Sequence, residues 1–127
     1  MILNRITWFA WPHHTITIEE RKMAIKGLLD FLKGPNINKG VEEFKETEGA
    51  MLIDVRTPVD YAARRIEGSK NVPLQNIGAI EEVAPDKNTP LFVYCYSGGR
   101  SSSATKALKQ MGYNNVNNIG GISAYKG

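Results

Sequence analysis

The chain has 127 residues, 42 % hydrophobic and 23 % charged, which bounds it to one ordinary globular domain able to bury a core without staples. Its one cysteine rules out an intramolecular disulfide and a cysteine-rich zinc site, and it suits a reducing cytoplasm. The net charge of +3 is scattered rather than clustered with aromatics. No nucleic-acid partner is therefore expected, and small anionic substrates suit the mild positive balance no less well.

From Met1 to Lys22 the pattern is unlike the rest. Trp8, Phe9 and Trp11 sit close together ahead of Pro12-His13-His14. Asn4 and Arg5 interrupt the apolar residues, so neither a signal-peptide core nor a membrane span forms, and no membrane association is expected. Adjacent histidines in an unpatterned segment are ordinarily solvent-exposed bystanders, so no metal is expected there. Glu19-Glu20-Arg21-Lys22 directly precedes Met23-Ala24. A purine-rich codon choice for Glu-Glu-Arg resembles a bacterial ribosome-binding sequence just upstream of a start codon. The expectation is a bacterial protein that starts at Met23, with residues 1–22 a disordered or non-native leader. Native protein carrying Met1 by intact mass would refute it.

Between Glu19 and Lys33, Met23, Ile25, Leu28, Leu29 and Leu32 fall at helical spacing, with Phe31 off the stripe, and Gly34-Pro35 stops the run. Residues 23–35 read as an amphipathic helix and linker, docked on its own domain or on a partner. Helical spacing recurs at Ile37, Val41 and Phe44, with Asn36 or Asn38 as cap and a break from Thr47 to Gly49. Ala50 to Val55 is a buried strand of the parallel type, followed by Thr57 as cap and Pro58 in the first turn of a short helix. Asn71-Val72-Pro73-Leu74 reads as extended, Gln75 to Val83 as a short helix, and Pro85 to Asn88 as a turn.

Leu91-Phe92-Val93-Tyr94 is a short β-branched and aromatic run that ends in Cys95. Ser97-Gly98-Gly99-Arg100 follows, and then a helix signal from Ser101 to Met111, closed by Gly112. Strand, tight loop and helix aim successive backbone N–H groups into one small concavity. There a thiolate is favoured, so the Cys95 pKa is expected below the free value of about 8.5. A lone cysteine after an apolar run is more often an inert core residue, but such a residue needs neither two glycines nor the cation that follows. Asn115 to Ile119 is a last strand, and Gly120-Gly121 leads into a helical stub from Ile122 to Tyr125. The alternation implies an α/β domain over residues 36–127, with a central, mostly parallel sheet and helices on both faces in three layers. Ligands in such sheets bind beyond the strand carboxyl ends, where Cys95 lies.

Four pieces together resemble the single-domain rhodanese, or sulfurtransferase, family. Leu52-Ile53-Asp54-Val55-Arg56 with Tyr61 resembles its first signature. Ile66, Gly68, Asn71, Val72 and Pro73 resemble its second. Cys95-Tyr96-Ser97-Gly98-Gly99-Arg100-Ser101 is similar to its active loop, Cys-x-x-Gly-x-Arg-Ser. Gly112-Tyr113, Val116 and Gly120-Gly121 resemble its closing segment, so the likeness runs from about Ile37 to Gly127. Arg65 stands where the family often has His, Glu67 where it often has Pro, and Tyr125 where it commonly has Trp. These positions are usually structural.

The resemblance implies a rhodanese-like fold and a sulfurtransferase that works through a Cys95 persulfide. Thiosulfate or another persulfide is the donor; a thiol, or cyanide in a test tube, is the acceptor, and a protein acceptor is compatible. Two half-reactions on one nucleophile imply ping-pong kinetics. The loop from Tyr96 through Ser97, Gly98, Gly99 and Arg100 to Ser101 would bind the persulfide. Arg100 either neutralises donor charge or pairs with a carboxylate to brace the loop, and Asp54 and Arg56 brace structure. No metal or organic cofactor is implied. One alternative is a cysteine phosphatase resembling the dual-specificity family. A phosphate needs a wider ring, and only four residues separate Cys95 from Arg100 here. The other is a non-catalytic sulfur-carrier or binding module; the intact Cys95 argues against a pure docking domain, while a sulfur carrier serving a protein acceptor stays compatible.

Overall fold

The computed structural model describes residues 15–127, apart from the side chains of Asp30, Phe31 and Lys33. The aromatic group at Trp8 to Trp11, His13-His14 and the leader up to residue 14 lie outside the described residues. The chain divides into two units, one ending at Gly34 and the other starting at Pro35. In the first, helix α1 runs over Ile18–Lys33. A capping box starts it: Thr17 Oγ1 accepts the Glu20 N–H at 3.0 Å, and the Glu20 carboxylate accepts the Thr17 N–H at 3.4 Å. Residues 18–22 are therefore helical, and the side chains of Met23, Ile25, Leu28, Leu29 and Leu32 are exposed. Among the described residues no helix is long and apolar enough to cross a membrane.

The second unit opens with α2, Ile37–Glu46, capped by Asn36, whose side chain accepts the N–H groups of Asn38 and Lys39. Strand β1, Met51–Asp54, leads to α3, Pro58–Ala63, where Thr57 caps and Pro58 takes the first position. Strand β2 is Ser69–Asn71. The extended stretch expected through Leu74 ends sooner. Leu74 donates its N–H to Val55 O at 3.1 Å and then opens a 3-10 segment, Leu74–Ala79. The single helix expected over Gln75 to Val83 is thus two pieces, kinked at Asn76 (φ −128°, ψ 40°), the second being α4, Ile80–Val83.

Strand β3, Leu91–Cys95, is buried at all five positions. Helix α5 covers Gly99–Gln110, β4 covers Val116–Gly121, and a 3-10 turn covers Ile122–Ala124. The four strands form one parallel sheet in the order β2-β1-β3-β4. Sheet residues alternate between two cores. Ile53, Val93 and Cys95 join Ile80 of α4 and Ala104 and Leu108 of α5 on one face. Leu52, Phe92 and Tyr94 join Ile37 and Val41 of α2 on the other. This is the three-layer α/β arrangement expected from the alternation, and it explains why β3 is apolar throughout. The β3–β4 ladder carries one irregularity: Val93 pairs with Asn118, but Tyr94 pairs with Gly120. Ile119 is the extra residue of a bulge. The bulge lies one step from the end of β3, beside the loop that follows Cys95.

Candidate active site

Cys95 ends the interior strand β3 and is 1 % exposed. The chain then rises through Tyr96, which is 56 % exposed, and Ser97 to Gly98. Gly98 has φ +107°, a left-handed conformation that costs any L residue with a Cβ about 1–2 kcal/mol. Its N–H points at Cys95 Sγ from 2.9 Å, and its positive φ redirects the chain so that α5 begins at Gly99. The helix expected from Ser101 thus starts two residues earlier. Gly99 has an ordinary backbone, and a Cβ there would meet open space. Of the two glycines, only Gly98 uses the freedom that both were expected to supply.

The first ladder bond of α5 runs from the Ser102 N–H to Gly98 O at 3.1 Å. The N–H groups of Gly99, Arg100 and Ser101 precede it and face the loop end of the helix. Burial pushes the Cys95 thiol up. The Ser101 hydroxyl and the N–H groups of Ser101, Gly98 and Ser97 outweigh that, and the net direction is downward. Arg100, half-buried, occupies the first turn, where the macrodipole disfavours a cation, and no acidic residue shares that turn. It makes no ion pair among the described residues.

Ser101 is fully buried beside the sulfur, 3.5 Å from Cys95 Sγ. Its hydroxyl also lies 2.7 Å from Asn118 Oδ1 and 3.0 Å from Gly98 O. Behind the loop, Gly121 packs so tightly that a Cβ would lie 2.1 Å from Tyr96 O, while the Ser123 N–H donates to that same carbonyl at 3.0 Å. Bulge and closing turn thus form the back wall of the loop. The Rhodanese-like domain family model matches residues 38–127, a span holding β1 to β4 and the whole loop. The chain belongs to the rhodanese-like family.

The thiosulfate sulfurtransferase PspE of Escherichia coli is 41 % identical over 71 residues, 55 % of this chain and 68 % of its own length. A sulfurtransferase of Allochromatium vinosum is 35 % identical over 86 residues, 66 % of this chain and 78 % of its own. Among solved structures, a rhodanese with anions from E. coli superposes with a TM-score of 0.57 at 38 % identity, covering 59 % of this chain and 89 % of that one. With relatives of these names, this rhodanese-like chain is a sulfurtransferase of the rhodanese type.

In this rhodanese-like domain, Cys95, Gly98 and Ser101 meet at the sulfur; Tyr96 and Ser97 form the exposed rim, and Gly99 and Arg100 the first turn of α5. Asp54 and Arg56 stand apart from the loop and hold each other. The Arg56 guanidinium donates to Asp54 at 2.7 and 3.1 Å, and the Arg56 N–H donates to the same carboxylate at 2.8 Å. Arg56 also donates to Arg64 O, and Asn71 Nδ2 to the carbonyls of Asp54 and Arg56. Both partners are buried, and although burial opposes the Arg56 charge, the Asp54 hydrogen bond and charge raise its pKa. Sequence reasoning missed Asn118, Gly121 and Ser123 as parts of the site. The Gly120-Gly121 pair was the one local signal, and it read as the lead into a helical stub and as part of the closing segment, not as a wall of the site.

Proposed function

We propose that Cys95 is the nucleophile of a sulfurtransferase that takes a sulfane sulfur from thiosulfate or a persulfide donor and hands it to a thiol, or to cyanide in vitro. The observation that carries this is the buried Cys95 thiol at the mouth of α5, with its pKa lowered by N–H groups and the Ser101 hydroxyl rather than by a cation. Thiolate attack on the outer sulfur of thiosulfate forms an S–S bond to Sγ. The S–S bond of the donor breaks, and its electron pair leaves with sulfite. The acceptor thiolate then attacks the terminal sulfur, and the Sγ thiolate returns.

The anionic outer sulfur of the persulfide projects toward the N–H groups of the loop from Tyr96 to Ser101. The helix amino end adds about 0.3–1 kcal/mol to its stabilisation. Arg100, without a carboxylate partner among the described residues, supplies the charge that draws the anionic donor. The solved E. coli rhodanese carries anions, which supports an anion-holding cradle in this loop as well. Asp54 and Arg56 hold the end of β1 in place beside Tyr94, its register partner. Residues 36–127 form the catalytic domain in this reading, and a free nucleophilic thiol fits a reducing cytoplasm.

The test is intact mass before and after thiosulfate, for the wild type and Cys95→Ser. The expected result is a gain of one sulfur in the wild type, reversed by cyanide and absent in the variant. No gain at any donor concentration, with the thiol shown to be free, overturns the reading.

A further inference from the structure

The Ser101 hydroxyl has one proton and too many neighbours that want it. Asn118 Oδ1 lies 2.7 Å away, Gly98 O 3.0 Å and Gly120 O 3.4 Å, and Cys95 Sγ lies 3.5 Å away on another side. Three of these are oxygens that can only accept. The nearest is fixed as an oxygen by a second contact: the Gly120 N–H points at the same atom from 3.0 Å, and an amide NH2 could not receive it. Asn118 therefore bridges the bulge in β4 and faces the hydroxyl that touches the nucleophile.

While Cys95 is a thiol, a continuous chain satisfies every group. The S–H donates to Ser101 Oγ, and the Ser101 O–H donates to Asn118 Oδ1. Once the sulfur loses its proton it can only accept, and a lone pair of Ser101 would then face an anion. The hydroxyl must turn from Asn118 to the sulfur. We propose that Asn118 is a positioning residue for the nucleophile, competing through the Ser101 proton with Cys95 Sγ and so setting how readily the thiolate forms.

The role of this competition in turnover rests on the sulfur-transfer reading. When Sγ becomes the inner sulfur of a persulfide it carries no charge, and the Ser101 proton returns to Asn118. When the outer sulfur departs to an acceptor, the electron pair of the broken S–S bond falls on Sγ, and the proton turns back to meet it. Other charges near the sulfur do not duplicate the device. β4 holds no ionisable residue, and β1 offers only Asp54, already paired with Arg56. On α5, Lys106 and Lys109 are exposed, as are Glu81 and Glu82 on α4, and Arg100 stands half-buried in the first turn.

The experiment is a titration of the Cys95 thiol, by thiolate absorbance and by the pH dependence of iodoacetamide alkylation, with no sulfur donor present. Asn118→Val removes the competing acceptor and is expected to lower the thiol pKa by about one unit, close to tenfold in thiolate fraction below the midpoint. Asn118→Asp keeps both accepted bonds, holds the proton harder and is expected to raise it. In a Ser101→Ala background the Val shift is expected to vanish and the Asp shift to shrink to its through-space charge effect. A Val shift that persists without the Ser101 hydroxyl, or no shift in either variant, overturns the proposal. Should Asn118→Val not fold, the Asp substitution with and without Ser101 reads the same coupling, and an equal shift in both backgrounds overturns it. Because no donor is used, a wild type that never gains sulfur but shows this coupling would sink the sulfur-transfer reading alone.

Discussion

At the scale of single residues, Gly98 and Gly99 look alike in sequence and differ in consequence. Gly98 is left-handed and points its N–H at the sulfur, whereas Gly99 is an ordinary first residue of a helix with open space beside it. Gly98→Ala is expected to raise the thiol pKa and slow persulfide formation about tenfold or more, because a hydrogen bond to a charged atom is lost along with the loop path. Gly99→Ala is expected to change the thiol pKa little. Stopped-flow sulfur uptake and thiol titration on the two variants separate them. Equal effects would show that flexibility, not the aimed N–H, matters. The Cys-x-x-Gly-x-Arg-Ser pattern announced the cradle. It holds a glycine at position 98 and leaves 99 open, but the left-handed backbone that needs that glycine shows only where the β3 end meets α5.

At the scale of elements, α2 owes its closeness to β4 to the absence of a side chain at Gly40. A Cβ there would lie 2.4 Å from Ile119 Cβ, the residue pushed out by the bulge. Gly40→Ala gains helix propensity but must displace a β-branched side chain in a packed core. It is expected to lower stability by about 1–3 kcal/mol in urea unfolding. A neutral or stabilising result would mean the bulge yields easily. Caps were legible in sequence because they act locally: Asn36 and Thr57 reach N–H groups two or three residues away. Parallel strands were legible from their apolar runs. The bulge was not, and with it went Asn118, whose partner Ser101 is seventeen residues distant. The early end of β2 was hidden for the same reason, because the Leu74 N–H answers to Val55, just past the end of β1.

At the scale of the whole molecule, a buried tyrosine ties the interior strand β3 to the crossover between β1 and β2. Tyr94 is fully buried; its hydroxyl accepts the Ile66 N–H and donates to Ser69 Oγ, each at 3.1 Å. Burial pushes its pKa up to about 12. A folded value above the unfolded one of about 10 means this group stabilises fully below pH 10, and the contribution falls as pH rises to about 12. Alkaline unfolding should therefore steepen in that window by roughly 2 kcal/mol. Tyr94→Phe should flatten the window while lowering stability at neutral pH, because Ile66 and Ser69 lose a buried partner. Denaturant midpoints from pH 8 to 12 decide it, and parallel curves for the two proteins would refute it.

The depth of Cys95 has one more consequence. A disulfide between two copies needs their Cα atoms within about 7 Å. Both sulfurs sit at the floor of a loop, each 1 % exposed, below an outward-standing Tyr96. Two such floors cannot meet while the fold is intact, whereas an oxidant as small as peroxide needs far less opening than a second protein. Under oxidants the thiol therefore climbs toward sulfenic and sulfinic acids as a monomer instead of cross-linking. Covalent pairing on a non-reducing gel would signal that the loop had already opened.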